Sequence, residues 1–436
     1  MDDEAFYTFE SRVFDLLEGK LSELSADEDK NKYIEAMAKA INPAVGPEDI
    51  KKLIAESKSF GVIDKYLYDD SVEDIMINSI SNIFLYIMGK GSSKALDRIQ
   101  SKKELDLLIK KMRMYAMTVV GAKRIFDVQM PNGSRANIVD LPSGADVTIR
   151  NFKKKTYSII DLINLGELSY NMAGRFWLYV DGLKVRPANM LIGGMPAVGK
   201  TSLLNAMFSF FRPEQRVVVI EETPELNLST QENAVKLETT PDLPMVDLVK
   251  NALRMRPDTI ILGEVRGVEA KDLMTAMNIG KIAMGTIHAS TAKDVITRLS
   301  HSPMNIEPDA IQLIDAIIII AQVNEGGKLS RKITQVSEIS GMEQQVLLSD
   351  LYSYDYKTRK ASDMLPSITY RDSLARLTGY TPLEIVMEEQ RRGKILEKLN
   401  ENGVRDLRGI NEFVKAYYEN PTSALAKIGL QGVGTL

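Results

Sequence analysis

The segment Gly194-Met195-Pro196-Ala197-Val198-Gly199-Lys200-Thr201 fits the spacing G-x-x-x-x-G-K-[ST]. In a strand–loop–helix context this pattern cradles phosphate oxygens on backbone N–H groups at a helix N-terminus. Lys200 would reach the β- and γ-phosphates, and the Thr201 hydroxyl would sit on Mg²⁺. Hydrolysis asks for more: a carboxylate near the metal and a group that orients or deprotonates the attacking water. Glu221-Glu222, after Arg216-Val217-Val218-Val219-Ile220, and Glu264, after Thr259-Ile260-Ile261-Leu262-Gly263, are the candidates. His288, in Gly285-Thr286-Ile287-His288-Ala289, ends a third such run and could donate to a phosphate oxygen. The competing readings are a Gly-rich turn with a solvated lysine, solvated strand-end carboxylates and a structural histidine. His301 has no comparable context and reads as structural.

These residues need elements to hold them. Met190-Leu191-Ile192 reads as a strand before the loop, and Ser202 to Phe208 as a helix after it. Strand-like runs at 217–220, 259–262, 282–287 and 317–323 alternate with helical stretches, which predicts an α/β unit with a parallel sheet covered on both faces. In such sheets the strand C-termini face the ligand crevice, so Glu221, Glu264 and His288 all point toward the phosphates. Upstream, Phe9 to Ile41 repeats apolar residues at helical spacing, with a break around Ser25-Ala26-Asp27. Short strands at 75–78, 83–86 and 126–150, a helix over 103–114 and a turn at Pro131-Asn132-Gly133 predict a smaller α+β domain. From about Leu365 the chain turns helical again. Thr381-Pro382-Leu383-Glu384 carries an N-cap, a first-turn proline and a box glutamate, and Asn402-Gly403 ends that helix.

Bulk composition narrows the function. The chain has 436 residues, room for two or three domains. The absence of cysteine excludes disulfides and thiolate metal sites, and two histidines make a histidine-built metal centre unpromising. A net charge of −4 argues against a broad basic surface for nucleic acid. The acidic start Met1-Asp2-Asp3-Glu4 lacks signal-peptide character, and no run reaches the roughly 18 apolar residues of a membrane span. The expectation is a cytoplasmic protein that reaches a membrane only through a partner.

Taken together, the phosphate loop, Ile220-Glu221-Glu222-Thr223-Pro224-Glu225-Leu226, the run from Met255 to Gly267 and Gly285-Thr286-Ile287-His288-Ala289 resemble the type II/type IV secretion ATPase superfamily, closest to its tight-adherence and archaeal branch. Asp127, Pro131-Asn132-Gly133-Ser134-Arg135 and Thr148-Ile149-Arg150-Asn151-Phe152 resemble that branch's N-terminal domain. The resemblance implies a RecA-like P-loop NTPase core over 183–360, an α+β N-terminal domain over 61–175, an N-terminal helical segment over 1–60 and a helical C-terminal region over 361–436. It implies ATP and Mg²⁺ as cofactors. Gly194, Ala197, Val198, Gly199, Lys200, Thr201 and Ser202 would bind nucleotide, with Thr201 and Glu264 toward the metal. Glu221 would polarise the attacking water, Glu264 would be the Walker B acid and His288 the histidine-box residue. Arg135 and Arg150 would approach the nucleotide from the N-terminal domain, across a hinge near Ala173 to Leu183. The implied assembly is a homo-hexamer pushing on a polytopic membrane platform protein and, through it, on pilin-like subunits. Two other readings stand beside it: a conjugative or type IV secretion motor moving DNA or effectors, and a nucleotide-gated scaffold with little turnover. Glu222, where the family usually has Asp, and Pro196, which removes an N–H from the cradle, depart from the pattern.

Overall fold

A computed structural model describes residues 1–430 except 81, 117–120, 122, 152–155, 241, 327, 344 and 363, and only the backbone of residue 328. Phe152 of the expected N-terminal motif therefore lies outside the described residues. The chain divides into two compact units, Met1–Lys155 and Thr156–Leu436. Among the described residues no helix is long and apolar enough to cross a membrane.

In the first unit, strands β1 (Val72–Asn78), β2 (Asn82–Ile87), β3 (Gly91–Lys94), β4 (Ile125–Gln129), β5 (Arg135–Leu141) and β6 (Gly144–Arg150) form one sheet in the order β3-β2-β1-β6-β5-β4. The pairs are antiparallel, and β5 and β6 alternate buried with exposed residues, as expected of a sheet with one covered face. Helices Asp3–Leu16, Asp27–Ile41, Pro47–Lys58 and Lys102–Arg113 supply the cover. Phe9, Val13, Phe14, Leu53 and Met112 share one core with Ile75, Ile77, Ile138 and Ile149. The N-terminal helices thus belong to the α+β unit and are not a separate segment ending at residue 60. The helix Pro47–Lys58, absent from the sequence reading, starts on Pro47 at its first turn.

The second unit is built on β7 (Met190–Gly193), β8 (Val217–Glu221), β9 (Ala234–Glu238), β10 (Thr259–Leu262), β11 (Ile282–Ile287), β12 (Ala316–Glu325), β13 (Lys328–Met342), β14 (Val346–Asp355) and β15 (Lys360–Ala361). They lie in the order β15-β14-β13-β12-β7-β11-β10-β8-β9, parallel from β12 to β9 and antiparallel beyond β12. Alternate residues of each parallel strand enter opposite cores: Ile192, Val217, Val219, Ile261 and Ile318 on one face, Leu191, Val218, Ile220, Ile260 and Ile317 on the other. A strand buried on both sides must be apolar throughout, which is why these runs read as unbroken β-branched stretches.

Two expectations about domain limits change. The stretch Ala173 to Leu183, expected as a hinge, lies mostly in the helix Tyr170–Asp181, nearly all of which is buried in the second unit. Trp177 stacks on Phe210 at 5.3 Å between ring centroids, and its indole N–H donates to Tyr418 at 2.8 Å. Residues 156–175 accordingly belong to the second unit. The C-terminal helices Thr369–Thr378, Pro382–Glu401, Leu407–Glu419 and Pro421–Lys427 pack into the same core through Ile385, Ile395, Val414 and Tyr417, so 361–436 is part of this unit as well. Buried charges join the two layers: Arg175 meets Glu389 at 2.6 Å, and Arg392 meets Asp181 at 2.7 Å and Glu388 at 2.9 Å. At the crossing, backbone packs on backbone. A β-carbon on Gly174 would collide with the carbonyl of Glu389 and stand 2.7 Å from the amide of Gly393.

Candidate active site

The loop from Gly194 to Gly199 joins the end of β7 to the helix Lys200–Met207. Its path needs glycine at two points. A β-carbon on Gly194 would lie 2.6 Å from the carbonyl oxygen of Ile320, and Gly199 has φ of 102°. Ala197 also lies at positive φ, 61°. No side chain caps the helix at Gly199, so the donors of its first turn are left to face a ligand. Lys200 is buried and its Nζ folds back onto the loop, donating to the carbonyls of Gly194 at 2.9 Å and Met195 at 3.0 Å.

The expected acidic and imidazole groups follow in sheet order. From β7 the strand ends run to His288 after β11, Glu264 after β10 and Glu221 on β8. His288 Nδ1 stands 3.3 Å from Lys200 Nζ, and His288 Nε2 stands 2.9 Å from Glu264 Oε1. Burial, then the Lys200 charge, hold the imidazole below its usual range, with Glu264 opposing. Gly263 lies against Glu221, since a β-carbon there would sit 3.0 Å from Glu221 Cγ. The loop after Glu264 is braced: the Thr286 hydroxyl donates to the Gly263 carbonyl at 2.6 Å, and the amides of Arg266 and Gly267 each donate to Glu269 at 2.7 Å.

Glu221 is 2% exposed. Its Oε1 accepts from the amides of Glu225 at 2.9 Å and Leu226 at 3.0 Å. Its Oε2 lies 3.2 Å from Lys236 Nζ, an ion pair without hydrogen-bond alignment. Burial outweighs these favourable partners and pushes the carboxyl up. The loop that Glu221 organises is tied to the phosphate-loop helix, because the Asn205 side chain donates to the Glu225 carbonyl at 3.1 Å and accepts from the Asn227 amide at 2.7 Å. Lys236, on the sheet-edge strand β9, was not singled out from sequence. Lysine on a short, mixed-polarity edge strand carries no local signal, and only the β8–β9 pairing brings it to Glu221. Glu222 points elsewhere, into an ion pair with Arg266.

A family model described as "Type II/IV secretion system protein" matches residues 56–352. The chain belongs to the type II/IV secretion system protein family. An uncharacterized protein of Methanocaldococcus jannaschii is 34% identical over 261 residues, 57% of this chain; the chain spans only 34% of that relative's length. A probable conjugal transfer protein of Sinorhizobium fredii is 29% identical over 290 residues, covering 63% of this chain and 86% of its own. The crystal structure of the pilus retraction motor PilT with bound ADP matches with a TM-score of 0.50 at 17% identity, over 81% of this chain and 96% of that one. That likeness concerns the fold, and it agrees with the parallel α/β sheet expected from the strand pattern and with the RecA-like core that the resemblance implied.

The family match takes in the two arginines of the N-terminal unit. Arg135 and Arg150 are cross-strand partners on β5 and β6, side by side at one end of the sheet. Each has an acidic neighbour, Asp127 at 3.7 Å from Arg135 and Asp74 at 3.3 Å from Arg150. Both arginines are exposed, so these pairs contribute little to stability.

Proposed function

We propose that the chain is an Mg²⁺-dependent ATPase that works as a homo-hexameric motor of the tight-adherence and archaeal type, driving pilin-like subunits through a polytopic membrane platform protein from the cytoplasmic face. The observation that carries this reading is the row Lys200–His288–Glu264–Glu221, set side by side at the C-terminal edge of one parallel sheet. Such an edge is where open α/β sheets take their ligands. The M. jannaschii relative supports the archaeal placement.

On nucleotide binding, Lys200 exchanges the Gly194 and Met195 carbonyls for phosphate oxygens. The amides of Val198 to Ser202 cradle the β- and α-phosphates. Mg²⁺ keeps most of its coordination from phosphates and water and needs only one or two hard protein oxygens. The Thr201 hydroxyl and the Glu264 carboxylate fit that demand, and the ion would neutralise charge on the β- and γ-phosphates. His288 holds Glu264 through Nε2 and faces the phosphate end through its other edge. Glu221, whose Oε2 is ion-paired with Lys236 and takes no backbone amide, orients and polarises the attacking water. Arg135 and Arg150 are the two further cations that the resemblance assigns to nucleotide contact.

Two variants test this. Lys200→Ala should lose nucleotide binding. Glu221→Gln should keep it and lose turnover by about 10²–10⁴-fold. A purified chain that binds ATP yet shows no turnover, even with lipid and a platform protein, would leave only a nucleotide-gated scaffold.

A second reading, transport of DNA or effectors in a conjugative system, is favoured by the resemblance to the S. fredii protein. It expects hydrolysis stimulated by DNA and steeply weakened by salt. The net charge of −4 speaks against it.

A further inference from the structure

Asparagine is a poor residue for the middle of a helix, because its side chain competes for nearby backbone groups. Asn205 nevertheless sits inside the helix Lys200–Met207, one turn past Thr201, and is only 7% exposed. Its side chain reaches out of that helix to the loop after β8. The amide nitrogen donates to the Glu225 carbonyl at 3.1 Å, and the amide oxygen accepts from the Asn227 N–H at 2.7 Å. These partners fix which way the amide faces, since one can only accept and the other only donate.

The loop it meets is held by side chains. Among the described residues, no backbone group bonds the main chain of Glu225 or Leu226. Three elements satisfy it instead. The Glu225 carbonyl takes Asn205 of the phosphate-loop helix, the Leu226 carbonyl takes Lys236 of β9 at 3.0 Å, and both amides donate to Glu221 of β8. Leu226 anchors the loop in the core that also holds Val198 and Leu203. The outer end is tied as well, the Asn227 side chain donating to Thr156, the first residue of the second unit, at 3.0 Å. A loop without main-chain pairing keeps its place through such contacts, and Asn205 makes two of them.

We propose that Asn205 is the positioning residue for Glu221: it sets the 225–227 loop against the phosphate-loop helix, and the two amides of that loop aim the Glu221 carboxylate at the attacking water. The assignment rests on the ATPase reading and deepens it with a residue that touches neither nucleotide nor water. It puts the phosphate cradle and the carboxylate in one frame, joined by two hydrogen bonds.

Steady-state hydrolysis and equilibrium ATP binding on the full chain test this. Asn205→Ala should lower kcat about 100-fold, the scale of a misplacement by an ångström, with ATP affinity kept. It should also move the acid limb of the kcat/KM profile to higher pH, because the amides that favour the charged carboxylate are withdrawn. In a Glu221→Gln background the same substitution should cost nothing further, since it acts only through that carboxylate. Asn205→Asp keeps the volume and the acceptor for Asn227 and loses the donor to Glu225. It should show the same three effects, and it decides the point where the alanine variant fails to fold. The proposal is overturned if kcat holds, if ATP affinity falls in step with kcat, if the acid limb stays in place, or if the Asn205 and Glu221 losses multiply. In each of those cases a wild type that hydrolyses ATP keeps the ATPase reading. A wild type that binds ATP without hydrolysing it overturns both.

Discussion

At the scale of single residues, the site owes its form to what surrounds each charge. Glu221 carries a raised proton affinity because burial exceeds the help of two amides and Lys236. Lys236→Met should therefore raise it further and move the acid limb of the pH–rate profile to higher pH, which a kcat/KM profile would read. In the N-terminal unit, Glu10 is a sharper case. It is 4% exposed, 3.8 Å from Lys111, and lifted from 4.5 to about 7. A carboxyl whose folded value lies above its unfolded one holds its proton more tightly in the fold. Its penalty is thus absent below pH 4.5, grows as pH rises to 7 and persists above. The magnitude is ~3 kcal/mol at most. Urea unfolding at pH 4 and pH 8 should show Glu10→Gln gaining on wild type chiefly at the higher pH, with Lys111 kept in place by Glu56 at 2.9 Å. Glu221, Glu264 and His288 were legible because each ends an apolar run, where the sheet rule gives a direction. Lys236 was not, since only the neighbouring strand brings it to Glu221.

At the scale of elements, local signals were faithful and distant ones silent. Thr381 and Glu384 form the expected capping box, the Thr381 amide donating to Glu384 at 2.7 Å and the Glu384 amide to Thr381 at 3.3 Å. The core strands also appear where their β-branched runs lie. Gly182 ends its helix in the left-handed conformation, a local turn inside the second unit and not the interdomain hinge expected near Ala173 to Leu183. What the sequence could not reveal is that this helix meets chain more than 200 residues later: Arg392 and Asp181 are 211 positions apart. Two substitutions probe that contact. Gly174→Ala should cost about 1–3 kcal/mol, because the new methyl group meets main chain that cannot rotate away. Arg392→Met should cost about 3–5 kcal/mol by leaving Asp181 buried without its cation and Glu388 with Arg391 alone. Arg392→Met together with Asp181→Leu should recover part of the loss. Thermal unfolding would measure all three.

At the scale of the molecule, the second unit is one cooperative body from Thr156 to the C-terminal helices. A fragment starting at Thr156 should unfold in a single calorimetric transition. The same fragment cut at Leu365 should expose Trp177, Phe210 and Phe211 and be recovered only as aggregate. The strand order has a further consequence, in the time domain of synthesis. Lys200 and His288 stand 88 positions apart, and the floor beneath Gly194 is the carbonyl of Ile320, made later still. A ribosome that has just finished the phosphate loop has produced a nucleotide motif with no floor and no acid. The first unit, complete by residue 155, can fold as it emerges, whereas the nucleotide site comes into being only after β12 and β13 have left the exit tunnel. On the ATPase reading proposed above, nucleotide would therefore be held only by chains already built to the end of the sheet.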